Sequence, residues 1–196
     1  MIGAIVPRPI AVVGTVSASG AHNLAPFSFF NGVGSEPMLI SFCPANRVEG
    51  TPKDTLRNAL PVNEGGTGCF CVSVASESIL RQVVASGDDL EYGVSEFAAV
   101  GLTPIVGTKV LAPRVAESPI SFECVTHAVH RFAPGIPAGA NMVIGRVVAV
   151  HLAAGIADQR MHIDAALLDA VGRMGGHDYC TTRDRFVVAP DRVPTA

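Results

Sequence analysis

The first residues that could do chemistry are Lys53, Asp54 and Thr55, within the stretch EGTPKDTLRNA. Thr51 is a natural N-cap, Pro52 suits the first helical position, and Asp54 would complete a capping box, so a helix is predicted to begin here. Unpaired N–H groups at the helix start, the Lys53 ammonium and the Thr55 hydroxyl favour an anion, and phosphate in particular. An ordinary capped surface helix with a solvated lysine would explain the same residues.

A second polar group lies in GAHNLAPFSFFNGVG, an otherwise apolar run that carries Asn23 and Ser28 on either side of Pro26. Because proline cannot donate to a sheet, its strand is interrupted there or lies at an edge. Backbone groups of residues 23–27 are then free to face a ligand. A heteroaromatic ring with a hydrogen-bonding edge would match such a surface. A kinked core strand in which Asn23 caps a turn is the alternative.

The motifs exclude several familiar kinds of site. There is no G-x-x-x-x-G-K-[ST] loop, GVGSEP and GGTGCF both fail G-x-G-x-x-G, and no G-x-S-x-G elbow is present. The five cysteines (43, 69, 71, 124 and 180) include no C-x-x-C pair. We therefore expect no metal site, and free thiols in a reducing, cytoplasmic location.

The composition narrows the possible partners. With a net charge of −3 and no basic block, the chain is not expected to bind nucleic acid. No apolar run reaches the roughly 20 residues that span a bilayer, so no membrane association is expected. Charged residues make up only 16% of the chain, where about 25% is usual, which indicates a partner subunit or a large ligand pocket.

The elements that would position these residues are mostly strands. β-Branched runs predict a hairpin over residues 10–27 and further strands over 38–43, 69–74, 109–116, 120–132 and 141–152. Helices are predicted over 51–60, 76–86, part of 88–100 and 164–174. Because the strands follow one another instead of alternating with helices, an antiparallel barrel or sandwich is favoured over a parallel sheet. One domain over residues 1–196 is expected.

Several motifs together resemble the flavin reductase-like, FMN-binding split-barrel family. They are VPRPIAVVGTVSASGAHNLAPFSFF, EPMLISF and KDTLRNA, followed by SPISFECV, MVIGRVVAVH and RMGGHDY. The resemblance implies a mainly β fold, an antiparallel Greek-key split β-barrel with a few short flanking helices. It also implies a homodimer with FMN at the interface. The activity it implies is hydride transfer from NAD(P)H to flavin, and on to free flavin or another small acceptor.

The same resemblance assigns residues to the flavin. Along the ring and ribityl chain it places strand residues Thr15, Val16, Ser17, Asn23, Leu24, Ala25 and Ser28. Flanking the ring it places Ser41 and Phe42. At the phosphate it places Lys53, Asp54 and Thr55. Flavin carries out the redox chemistry itself, so no catalytic acid or base is expected.

One position departs from the family pattern. Many family reductases carry Gly-Asp-His before the penultimate long strand, with the histidine near the nicotinamide, whereas this chain has GAN with Asn141 in that place. An amide can still bind a carboxamide, but it cannot be charged. A flavin-binding electron carrier or flavin store without NAD(P)H turnover therefore stays open, as does a ligand-binding barrel without flavin. His177 or Tyr179 is expected to close the substrate pocket.

Overall fold

Antiparallel strands dominate this computed structural model, which describes residues 2–91 and 93–188. The strands are β1 (Arg8–Pro9), β2 (Ala11–Val16), β3 (His22–Phe27), β4 (Phe30–Ser35), β5 (Met38–Phe42), β6 (Cys69–Val74), β7 (Pro104–Val106), β8 (Pro113–Val115), β9 (Ile120–Arg131), β10 (Asn141–Leu152), β11 (Val171–Arg173) and β12 (Tyr179–Thr181). The α-helices in the described ranges are α1 (Asp54–Ala59), α2 (Leu80–Ala85), α3 (Glu96–Val100) and α4 (Ala165–Leu168). The predicted mainly β fold with few short helices is confirmed.

Seven of these strands form one antiparallel sheet in the order β3-β2-β6-β9-β10-β5-β4. Hairpins pair β2 with β3, β4 with β5, and β9 with β10. The first and last strands of the sheet, β3 and β4, are neighbours in the chain. A smaller sheet joins β1, β11 and β12, and β7 pairs with β8.

The inner core shows that the large sheet is curled. Side chains from strands across the sheet meet around Phe42, whose ring centroid lies 5.2 Å from that of Phe27 and 5.1 Å from that of Phe70. Leu56 of α1 joins this cluster, so α1 packs against the inner face of the curled sheet. The other face of β2 and β3 packs against α2 and α3 through Leu24 and Phe97, among others. Strand β3 is thus fixed on both faces, and one of its edges pairs with no strand formed by residues 2–91 and 93–188.

The start of α1 differs from the prediction. The helix begins at Asp54, its N-cap is Lys53, and no side chain caps it. The Thr51 hydroxyl instead donates to Glu49 (2.7 Å), and the Asp54 carboxylate pairs with Arg47. The predicted capping box is therefore wrong, because the nearby guanidinium competes with the helix end for the carboxylate.

Other element boundaries also need correction. The predicted strand over 109–116 is shortened to β8, and the predicted helix over 164–174 ends as α4, after which β11 pairs with β1. The predicted helix over 76–86 is divided into a 3₁₀ turn, Glu77–Ile79, and α2. Among the helices that the described residues form, none has the length and apolar character needed to cross a bilayer.

Candidate functional site

The unpaired edge of β3 is the feature around which the site is built. Leu24 directs its N–H away from β2 and donates it to a carboxylate oxygen of Glu96 at 2.8 Å. Pro26 lies two residues further along and points its nitrogen to the same side, so its missing N–H costs no ladder bond. The predicted edge position is confirmed. The prediction that all backbone groups of 23–27 are free is wrong, because Glu96 already binds Leu24.

Glu96 is a buried acid that sequence reasoning missed. Its side chain comes from α3, which packs against β3, and the residue is 7% exposed. Burial raises the pKa of its carboxyl, and the hydrogen bond from the Leu24 N–H opposes that shift only in part. No local motif marks this residue, because its partner lies 72 positions away in the chain.

The two polar groups singled out in the sequence touch each other. The Asn23 side chain donates to the Thr55 hydroxyl at 3.0 Å, across 32 positions of the chain. A parallel bond runs from the Asn58 amide to the Thr15 hydroxyl at 3.1 Å. Both bonds are buried, so strand and helix are held together by amide-to-hydroxyl bonds. Thr15 is fully buried.

Two cations stand beside the start of α1. Arg47 is fixed by Asp54, with Nη2 and Oδ2 3.1 Å apart, and Lys53 extends beside it. Both cations reach the same carboxylate, since Asp89 Oδ1 lies 3.5 Å from Arg47 Nη1 and 3.5 Å from Lys53 Nζ. Arg47 was missed by sequence reasoning. A turn closed at Gly50, whose φ is +83°, brings Arg47 back beside Lys53, and that glycine was the available signal.

The cleft itself consists of two cavities along β3. The first is lined by Asn23, Ala25 and the cations, and the second, of about 210 Å³, by Pro26, Ser28 and Tyr179 among others. Gly87 and Asp88 line both cavities, so the two adjoin at that point. The structure thus aligns a cationic end, an apolar strand edge and an aromatic end.

Ser28 separates this cleft from a further groove. Its hydroxyl accepts a bond from Arg8 Nε at 3.2 Å, and Arg8 is almost fully buried. Because the Ser28 oxygen accepts that bond, its own proton stays available to a ligand. Ser41 lines the groove beyond Ser28, which measures about 450 Å³. Arg8 was not among the predicted site residues.

Several predicted contacts lie elsewhere. The Phe42 side chain is fully buried in the inner core, because side chains alternate along β5 and Ser41, not Phe42, faces the groove. The Leu24 side chain packs in the outer core. Val16 is buried, whereas Ser17, which is bonded to Ser19 and to the Ala21 N–H, lines a small cavity together with Asn23 and Asp54.

Of the three residues predicted to bind the substrate, one lines the cleft and two do not. Asn141 is 1% exposed, and its amide nitrogen donates to carbonyls of Pro44 (3.0 Å) and Gly139 (3.2 Å) and to Asn46 Oδ1 (2.9 Å). In this conformation it holds a loop and does not face the cleft. His177 is exposed and lies outside the cavity linings, whereas Tyr179 lines the 210 Å³ cavity.

Comparison with known proteins identifies the family. Residues 2–176 match the family model of the flavin reductase like domain. The chain belongs to the flavin reductase-like family. This membership associates the protein with flavin chemistry, and it agrees with the resemblance carried by the KDTLRNA and NLAPFS motifs.

Solved structures of similar proteins support the same assignment. Nitrilotriacetate monooxygenase component B from Bacillus cereus is 33% identical, with a TM-score of 0.87 over 95% of this chain and 90% of that chain. The 2-nitrobenzoate 2-nitroreductase of Pseudomonas fluorescens is 31% identical, with a TM-score of 0.84 over 100% and 91%. A Shewanella frigidimarina protein with a split barrel domain is 25% identical, with a TM-score of 0.79 over 95% and 86%. The fold of the flavin reductase-like chain is a split barrel.

Proposed function

We propose that this protein is an FMN-binding oxidoreductase that uses NAD(P)H to reduce flavin and passes the electrons to free flavin or another small acceptor. The cleft is the observation that carries the proposal. Two cations at one end, an apolar strand edge, and Ser28 and Tyr179 at the other end match a ligand with a phosphate and a heteroaromatic ring. Its cysteines are free, which fits the cytoplasmic location that we also propose.

Arg47 and Lys53 would bind the phosphate. The Asp54 carboxylate orients Arg47, so the guanidinium is held in place before a ligand arrives. Asn23 and Thr55, bonded to each other, form the wall between this end and the strand edge. Lys53, Asp54 and Thr55 are the residues predicted for the phosphate end, and we add Arg47 to them.

Ser28 would bind the polar edge of the ring. The Arg8 guanidinium donates to its oxygen, which orients the hydroxyl proton toward a ligand acceptor. Bound FMN would supply the redox chemistry by accepting a hydride from the nicotinamide. The protein then contributes position and hydrogen bonds, and no side-chain base is required.

The groove of about 450 Å³ beyond Ser28 is where we place the second substrate. Its volume lies within the range of roughly 300–1,000 Å³ that is usual for small-molecule sites. Ser41 and Phe29 line it beside Arg8, which offers both a polar and an aromatic surface. A nicotinamide ring or a small acceptor would reach Ser28 from this side.

A flavin-binding electron carrier is the second candidate. The observation that favours it is the position of Asn141, whose amide nitrogen already binds two carbonyls and Asn46. The side chain at that place is an uncharged amide whose nitrogen is already engaged, so efficient turnover of NAD(P)H would have to depend on other contacts.

One anaerobic experiment tests the proposal against this candidate. Purified protein loaded with FMN is mixed with NADH or NADPH, and the absorbance of the oxidised flavin near 450 nm is followed in time. Rapid bleaching by either nicotinamide is the expected result. Bleaching by dithionite alone would support the carrier, and failure to bind FMN would overturn both.

A further inference from the structure

We propose that Asp89 competes with the flavin phosphate for Arg47 and Lys53, so that the flavin binds as an exchangeable ligand. This inference rests on the proposed function and concerns how tightly that site holds its ligand. Asp89 lies on the segment that follows α2, residues 86–91, which we call the strap. The strap crosses the cleft between its two cavities.

The Asp89 carboxylate stands where an anionic ligand would bind. One of its oxygens lies 3.5 Å from Arg47 Nη1 and 3.5 Å from Lys53 Nζ. The cavity left at this end measures about 20 Å³, room for roughly one water molecule and not for a phosphate group. A phosphate can therefore contact both cations only after the carboxylate has left.

The strap also covers the edge of β3. A Cβ atom added at Gly87 would lie 3.4 Å from Pro26 Cγ, so the strap backbone rests on the proline. The strap thus blocks the strand edge and the cations together. A ligand that extends along β3 from the cations to Ser28 must displace both contacts.

The strap is held weakly enough to be displaced. The Asp89 side chain is 59% exposed, and ion pairs at that exposure contribute little to stability. Gly87 and Asp88 are exposed too, and their N–H groups bond only locally, to Val84 and Ala85. Displacement by a flavin phosphate is therefore possible, but it lowers the net affinity for FMN.

The charges around the cavity also lower the affinity for a phosphate. Asp54, Asp88 and Glu96 line it in addition to Asp89, against the two cations Arg47 and Lys53. Asp54 already neutralises much of the Arg47 charge at 3.1 Å. An incoming phosphate is therefore attracted by cations whose charge is already balanced.

The decisive variant is Asp89→Asn, which keeps the shape of the side chain and removes its charge. Dissociation constants for FMN and for riboflavin are measured by quenching of flavin fluorescence, and the FMN dissociation rate by stopped flow. We expect FMN to bind about three- to tenfold more tightly and to dissociate more slowly. The reason is that the variant removes the two exposed ion pairs of Asp89, with which the phosphate must otherwise compete. Riboflavin, which has no phosphate to replace the carboxylate at the cations, should gain less affinity than FMN.

Asp88→Asn is the matched control. Asp88 borders the same cavity, and its carboxylate forms no ion pair within residues 2–91 and 93–188. We expect it to change FMN binding less than twofold. Equal effects of the two variants would show that any negative charge near the cavity weakens FMN binding, and this would overturn the proposal. Weaker or unchanged FMN binding to Asp89→Asn would overturn it as well. If neither flavin binds to the unaltered protein or to either variant, the proposed function itself fails.

Discussion

Lys53 reports most directly on the cationic end of the cleft. Its side chain is 31% exposed and reaches the cavity wall beside Arg47. We expect Lys53→Ala to weaken FMN binding by about 1–3 kcal/mol, the range for losing a charge-assisted hydrogen bond. Riboflavin binding should change far less, because riboflavin lacks the phosphate. Fluorescence titration with both flavins gives the comparison.

Arg57→Ala provides the control for that experiment. Arg57 lies on α1, the helix that Lys53 precedes, and pairs with Asp54 at 3.7 Å, but it does not line either cavity of the cleft. The Arg57→Ala substitution removes one positive charge near the site, as Lys53→Ala does. Equal losses of FMN and riboflavin in Lys53→Ala would show that Lys53 does not contact the phosphate.

At the residue scale, the sequence allowed part of the site to be predicted. Asn23, Lys53 and Thr55, which two separate motifs singled out, line one cavity. The Phe42 side chain lies in the inner core because alternation along β5 puts it opposite Ser41, and the register of a strand cannot be read from a motif alone. Glu96 reaches the cleft through packing between distant elements, which no local pattern encodes.

At the element scale, a buried carboxylate on β9 fixes the loop before β8. Glu123 is fully buried and accepts bonds from the N–H groups of Thr108 (2.7 Å), Lys109 (2.6 Å) and Val110 (3.1 Å), and from His151 (2.5 Å). Burial alone would raise its pKa, but the hydrogen bonds, led by that from Thr108, outweigh burial and lower the pKa to about 2. The loop is therefore anchored by one ionised side chain.

Glu123→Gln should destabilise the fold in a pH-dependent way. Because the folded pKa lies below the ordinary value, the ionised carboxylate stabilises the fold fully above roughly pH 5, and this contribution is lost as the pH falls toward 2. We expect a loss of about 3 kcal/mol at pH 7. Urea unfolding at pH 7 and at pH 3 measures it, and the difference between variant and unaltered protein should shrink at the lower pH.

Glu117→Gln is the matched control at this scale. Its carboxylate also accepts a backbone N–H, that of Thr103 at 3.1 Å, but the residue is exposed. It should cost far less stability. A pH-independent loss in Glu123→Gln, or equal losses in the two variants, would contradict the anchoring role of the charge.

The same loop explains why a predicted strand was too long. The run from Lys109 to Ala116 is mostly apolar and looks extended, yet the N–H groups of Lys109 and Val110 bind the Glu123 side chain, so they are unavailable to a ladder. The long hairpin β9–β10 was predicted almost to its ends, because two β-branched runs around a Pro- and Gly-rich loop leave few alternatives.

At the scale of the whole molecule, we expect a homodimer. Charged residues make up only 16% of the chain. Val62, Val106 and Leu111 are exposed along a groove of about 630 Å³. Apolar patches of this kind usually mark contact surfaces. Sedimentation velocity at micromolar concentration should give twice the chain mass, with and without FMN, and a monomer that still holds flavin would contradict the prediction.

The side of β3 that pairs with no described strand and is exposed when the strap is displaced has a consequence for how the protein behaves in a crowded solution. A sheet that leaves one strand edge accessible to a small molecule also presents that edge to other polypeptides, which can add a strand and start aggregation. Pro26 has no N–H to offer, and Glu96 has taken the N–H of Leu24. An incoming peptide would find no donor at either position, whereas a compact ligand that uses side chains could still bind. Pro26, which shapes the cleft, thereby protects the sheet from pairing with strands of other protein molecules.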